Sequence, residues 1–327
     1  MKTSNLFYIL TTGALNAKEA DRSLTRNEVK SVQIHQGSVS QEVPFFNTWG
    51  ELGVSSFAFH PDKEHFVYGT IGSDFFEVDL NSKKVIYFEL ENLIDVHEIT
   101  LIDRDIWLSN TGRDEVVCFN LDEKVVSKRF FLNQFRSDLK RNQDKGSLKQ
   151  DKFHCNQIFK GGDGDLYCLV HHTTGIQLMK KVASKLLKTQ GNGGVINLTS
   201  NKVHALNLKA PHSVRIVNDE YWVFSSGHST INIYDFSWNK KKVMETSGWG
   251  RGAAVSKDNQ FFFAGISETR KRYTNIFGKT TPNKIEIFDT KTYKSIDEVI
   301  LKDIEQVNNV YLIDKIRYDL LQQLNKI

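Results

Sequence analysis

A six-bladed β-propeller of four-stranded antiparallel blades, an all-β fold, is what these 327 residues predict, and three observations carry the prediction. Prolines number only 4 against 22 phenylalanines, and short alternating runs of Phe, Val, Ile and Tyr are bounded by Gly, Asn and Asp, which is how strands and turns read in a sequence. A hairpin pattern, opened by a histidine in three of its copies, recurs along the chain with starts near 53, 96, 153, 211 and 250, and further strands after most copies make four to a unit, as in a propeller blade. Finally, an inner strand near the C-terminus lacks following partners, and a second strand near the N-terminus lacks a preceding one.

The repeat is plainest in Val96-His97-Glu98-Ile99-Thr100-Leu101-Ile102, a turn at 103–105, then Ile106-Trp107-Leu108-Ser109-Asn110-Thr111-Gly112. It is matched by Pro211-His212-Ser213-Val214-Arg215-Ile216-Val217 followed by Tyr221-Trp222-Val223-Phe224-Ser225-Ser226-Gly227, and in both copies the tryptophan follows the histidine by ten positions. A third copy starts at Phe153-His154-Cys155-Asn156 and, after a longer turn, continues Leu166-Tyr167-Cys168-Leu169-Val170-His171-His172. Weaker copies occupy 54–59 with 66–70, and 250–255 with 261–267. Third strands end in a shared signature, Glu77-Val78-Asp79, Cys118-Phe119-Asn120, Ile233-Tyr234-Asp235 and Ile287-Phe288-Asp289, and fourth strands follow, as at 84–88 and 242–245. Blades therefore begin near 53, 96, 153, 211 and 250. The sixth is expected to combine the inner strand at 307–313 with the N-terminal strand at 5–13, which protects both sheet edges at the closure. The whole of 1–327 reads as one domain, with a charged helical insertion at 133–152, a short helix at 179–188 and an amphipathic helical tail at 315–327.

Several of these residues are similar to a family of bacterial propeller proteins classed as a conserved domain of unknown function. The likeness rests on Pro211-His212-Ser213-Val214-Arg215, on Trp222 to Gly227, on Gly250-Arg251-Gly252, on Gly265-Ile266-Ser267 and on the segment 304–313. The resemblance implies the propeller fold and no particular activity, so chemistry has to be read from the residues.

Inner strands of a propeller run in one direction along the central channel, so equivalent positions form a ring at one height. His97, His154 and His212 start three consecutive inner strands, Arg251 holds the place in the next, Asn308 or Asn309 is the occupant expected in the closing blade, and Ser55 or Ser56 in the first. Loops leaving the second strands add Asn110, Arg113, His171, His172, Ser226, His228, Glu268 and Arg270 to the same mouth. Three imidazoles from adjacent blades suit a divalent transition metal with positions left open for substrate. Glu98, Glu268 or a second-strand histidine would then act as acid or base, and Arg251 or Arg270 would hold a carboxylate, phosphate or developing oxyanion. The function expected is small-molecule binding, with a lyase, hydrolase or isomerase step. The alternative is a non-catalytic scaffold that presents its loops to a protein or glycan, in which recurring histidines merely bond neighbouring blades.

Other signals are weaker. Gly191-Asn192-Gly193-Gly194 lacks the lysine and spacing of a phosphate loop, Lys240-Lys241-Lys242 reads as a solvated hairpin end, and Asp163-Gly164-Asp165 lacks the downstream Glu of a calcium loop. Trp107, Tyr167 and Trp222 read as core between blades. Forty-three basic and 39 acidic residues leave a dispersed net charge of +4, which argues against nucleic acid as a partner. No apolar run reaches the roughly 18 residues of a spanning helix, so no membrane partner is expected. Residues 6–10 are too short for a secretory h-region of about 7 to 15 residues, and Cys118, Cys155 and Cys168 read as reduced core thiols, which together suggest a cytoplasmic protein.

Overall fold

The computed structural model describes residues 2–14, 28–37, 39–49, 53–135, 151–175, 191–268 and 282–324. Six four-stranded antiparallel sheets form the blades of a ring. The first blade runs from Ser56–Phe59 through Phe66–Ile71 and Asp74–Asp79 to Lys84–Phe88, and the second from Val96–Ile102 to Val125–Phe131. The third begins at Cys155–Lys160 and ends at Val203–Leu208, the fourth spans Pro211–Val217 to Lys240–Glu245, and the fifth spans Trp249–Val255 to Ser295–Ile300. The sixth takes its inner strand, Gln306–Ile313, from one end of the chain and its other three, Tyr8–Ala14, Val32–Gln36 and Val39–Glu42, from the other.

Packing lies between the blades. Because side chains alternate across a strand, each second strand buries one row against the blade before it and one against the blade after. Ile106 and Leu108 pack with Tyr68 and Phe75 of the first blade, whereas Trp107 packs with Phe153 and Ile158 of the third. Tyr167 and Trp222 repeat the forward-facing position, against Tyr221 of the fourth blade and Phe262 of the fifth. All three cysteines are buried free thiols in this core.

Among the described residues there is one α-helix, Lys315–Gln323, here α1. The Asp314 carboxylate caps it by accepting from the backbone N–H of Arg317 at 2.8 Å. Its buried face, Tyr318 and Leu321 with the following Leu324, seals the cluster shared by the closing and first blades. Of the helix expected at 133–152, the start falls in a 3-10 turn, Leu132–Phe135, while 136–150 lie outside the described residues, as do 179–188. The N-terminal strand starts at Tyr8, after a 3-10 turn at Thr3–Leu6, and a small ladder of Glu28–Val29 with Thr48–Trp49 was not foreseen. No helix among the described residues is long and apolar enough to cross a membrane.

Candidate active site

Five of the six inner strands carry a β-bulge near their start, where three residues on the inner strand span two on its partner. Val96 faces Asn110 while Ile99 faces Leu108, and Pro211 faces Ser225 while Val214 faces Val223. His97 and His212 therefore occupy the same place, and Arg251 and Asn308 fill it in the fifth and closing blades. His154 does not. In the third blade Cys155 faces Val170 and Ile158 faces Cys168, so the residue equivalent to His97 is Asn156. His154 stands one residue earlier, at the place of Asp95 and Ala210, and all three have a left-handed backbone with φ of 53°, 54° and 47°. The common register expected of the three histidines is corrected accordingly.

The imidazoles nevertheless meet. Ring centroids of His97 and His154 are 4.7 Å apart and edge-on, those of His154 and His171 are 4.2 Å apart, and those of His171 and His212 are 5.2 Å apart. Trp249 closes the row 5.8 Å beyond His212. Protein groups fix the rings. His97 Nδ1 lies 2.9 Å from the Asn156 Oδ1, and its Nε2 lies 3.4 Å from the Asp95 carboxylate. His154 Nδ1 pairs with Asp151 at 2.8 Å. His212 Nδ1 is 3.0 Å from the Ala210 carbonyl, which only accepts, so this nitrogen carries the hydrogen and shares it with Ser226 Oγ at 2.9 Å. His171 differs from the rest: its Nε2 is buried with no hydrogen-bond partner.

Electrostatics sets His154 and His171 apart from Asp95. Burial, reinforced by the neighbouring His154 and His212, pushes His171 well below the usual imidazole range. Burial also lowers His154, against the pull of Asp151. At Asp95 burial works against the charge, but the hydrogen bond to His97 and the nearby His97, His154 and Arg251 side chains outweigh it and hold the carboxyl at about 2.

The metal set His97, His154 and His212 is not formed. Among the described residues no group of three or more His, Cys, Asp or Glu side chains is arranged to hold a metal ion. Glu98 belongs to a second layer in the channel instead of the imidazole row. Its Oε1 accepts from Gln157 Nε2 at 2.9 Å and lies 3.6 Å from Arg215 Nη2. Burial raises its pKa while Arg215, Asn309 and Arg251 pull it down.

Other expected site residues are scattered. Asn110 is fully buried and holds a turn, donating to Glu115 at 2.7 Å and accepting from the Ile94 N–H. Asn308 donates to the Val54 carbonyl at 2.9 Å, a contact between blades. His228 pairs with Ser225 in its own turn, and Arg113 is half-buried in the turn Thr111–Arg113. Glu268 is exposed, with its backbone N–H on Asn283, and Arg270 lies outside the described residues. His172 sits 6.4 Å from His171. Sequence reasoning missed Asp95, Asp151, Asn156, Gln157 and Arg215. A carboxylate two or three residues before a site histidine, Asp95 before His97 and Asp151 before His154, was the signal available.

Comparison with known proteins adds fold more than function. The model of a family described as Domain of unknown function (DUF4915) matches residues 83–320, from the fourth strand of the first blade into α1. No curated protein matches the chain. A protein of unknown function from Bacteroides caccae superposes with a TM-score of 0.59 at 10% identity, covering 94% of this chain and 99% of that one. A chain of a nidogen/laminin complex superposes with a TM-score of 0.57 at 12% identity, covering 93% and 97%. Likeness at such identity is one of fold.

Proposed function

We propose that this chain, which belongs to the DUF4915 family, is a small-molecule enzyme whose imidazole row at the channel mouth carries out proton transfer, in a lyase, hydrolase or isomerase step. One observation carries the reading: the Nε2 of His171 is buried without a partner between His154 and His212. A buried polar atom left unpaired costs free energy, and a bound ligand would repay it. Burial holds the imidazole neutral, so its unprotonated form is available at neutral pH. His171 takes the substrate proton, while Asp95 and Asp151 orient His97 and His154 beside it. Arg251, which holds the strand position of His97 in the fifth blade and whose positive potential reaches Asp95 and Glu98, suits a substrate carboxylate or a developing oxyanion.

The test is a ligand-observed NMR screen of small carboxylates, lactones and amides, repeated on His171→Gln and Arg251→Met. Hits are expected to vanish in both variants while each still unfolds in urea in one cooperative transition like the parent. Turnover of any hit should fall only when the pH drops well below the usual imidazole range, because His171 resists protonation. Hits that survive both substitutions would place the ligand elsewhere.

A further inference from the structure

Away from the imidazole row, the turns that end the inner strands of the first two blades and the third strand of the second, with the second and third strands of the first blade, line an open cavity of about 300 Å³. Its floor is Glu77, only 3% exposed, whose carboxylate accepts from the Tyr68 hydroxyl at 2.6 Å and from Lys124 Nζ at 3.0 and 3.1 Å. The rim is Arg104, which donates to Asp122 at 2.9 and 2.8 Å and to Asp62 at 2.6 Å. His60 Nδ1 accepts from the backbone N–H groups of Asp62 and Lys63, both at 3.1 Å, which places the ring hydrogen on Nε2 and makes this neutral imidazole a donor.

Charge on the walls balances, with Lys63, Arg104 and Lys124 against Asp62, Glu77 and Asp122. An anion entering would meet three carboxylates, and a cation would meet three cationic groups. A neutral ligand rich in hydroxyls meets neither difficulty, because each hydroxyl donates to a carboxylate and accepts from the cation paired with it. Phe66, Tyr68 and Leu121 supply an apolar wall for the C–H face of a ring. The volume is at the lower end of ligand pockets, sufficient for one sugar ring. We propose that this cavity between the first two blades binds a single neutral monosaccharide unit, either free or as the terminal residue of a glycan.

Saturation-transfer NMR on the full chain would use glucose, galactose, mannose and N-acetylglucosamine, their methyl glycosides, and glucose 6-phosphate, glucuronate and glucosamine as charged comparators. Saturable binding of at least one neutral sugar is expected, in preference to its charged analogues, and weakened about tenfold or more in Glu77→Gln. Arg104→Ala, at the exposed rim, serves as a second variant that does not disturb the buried pair and should weaken binding similarly. Methyl glycosides that bind as well as free sugars identify a glycan terminus, and binding of free sugars alone identifies a free monosaccharide. No binding by any neutral sugar, tighter binding of a charged analogue, or full-strength binding in Arg104→Ala would overturn the proposal.

Discussion

Truncating Asn156 strands two groups at once: its Oδ1 meets His97 Nδ1 at 2.9 Å, and its Nδ2 donates to the Pro211 carbonyl at 2.6 Å. Truncating His154 strands only Asp151, whose carboxylate is 37% exposed and has water to turn to. Asn156→Ala should therefore cost about 1–3 kcal/mol in urea unfolding, and His154→Ala less than about 1 kcal/mol. Equal costs would mean that the imidazole row holds blades together as Asn156 does. His35 supplies the pH dependence. It is fully buried between Thr11 Oγ1 at 3.0 Å and Ser40 Oγ at 2.8 Å, and burial lowers its pKa from 6.5 to about 4. Between those values the unfolded chain takes up a proton that the folded ring refuses. The stability His35 contributes is thus complete above pH 6.5 and is lost as pH falls toward 4, by at most about 3 kcal/mol. His154 and His171, also lowered, act with the same sign. Urea melts from pH 8 to pH 4 should show this loss, with a shallower acid slope in His35→Gln; an unchanged slope would show that His35 titrates alike in both states.

At the level of elements, the bulge explains what could and could not be read in advance. Alternation made the hairpins legible, and the tryptophan ten residues after His97 and His212 marked equivalent blades correctly, because Trp107, Tyr167 and Trp222 do share one forward-facing position. Counting by twos fails where a residue is inserted, and the bulge lies between the histidine and the regular strand. His154 was consequently aligned with His97, although backbone conformation aligns it with Asp95 and Ala210. Those three share a positive φ and no side-chain chemistry, so nothing in their identities announces the equivalence. His171 was legible as a loop histidine, but its orphaned Nε2 depends on His154 reaching it from an adjacent strand out of register. α1 was readable from its amphipathic spacing alone.

Across the whole molecule, one ladder closes the ring. Tyr8–Ala14 pairs with Gln306–Ile313 from Tyr8 opposite Ile313 to Ala14 opposite Gln306, and Ile9, Leu10, Thr11 and Thr12 are all fully buried. The same strand pairs on its other side with Val32–Gln36, so it joins the inner strand to the outer half of its blade. Removing residues 1–13 would expose one edge of Gln306–Ile313 and one edge of Val32–Gln36, each free to pair with another molecule. The damage should spread beyond that blade. Ile9 packs in the cluster with Phe263 and Ile285 of the fifth blade, and Leu10 in the cluster with Phe57 and Phe76 of the first, so both neighbouring interfaces lose core. The truncated chain is expected to unfold without the single cooperative transition of the parent and to elute as oligomers in size-exclusion chromatography, with faster hydrogen exchange in the first and fifth blades than in the third. A monomer that melts in one transition at the parent's midpoint would show that the blades stand independently and that the ladder is dispensable.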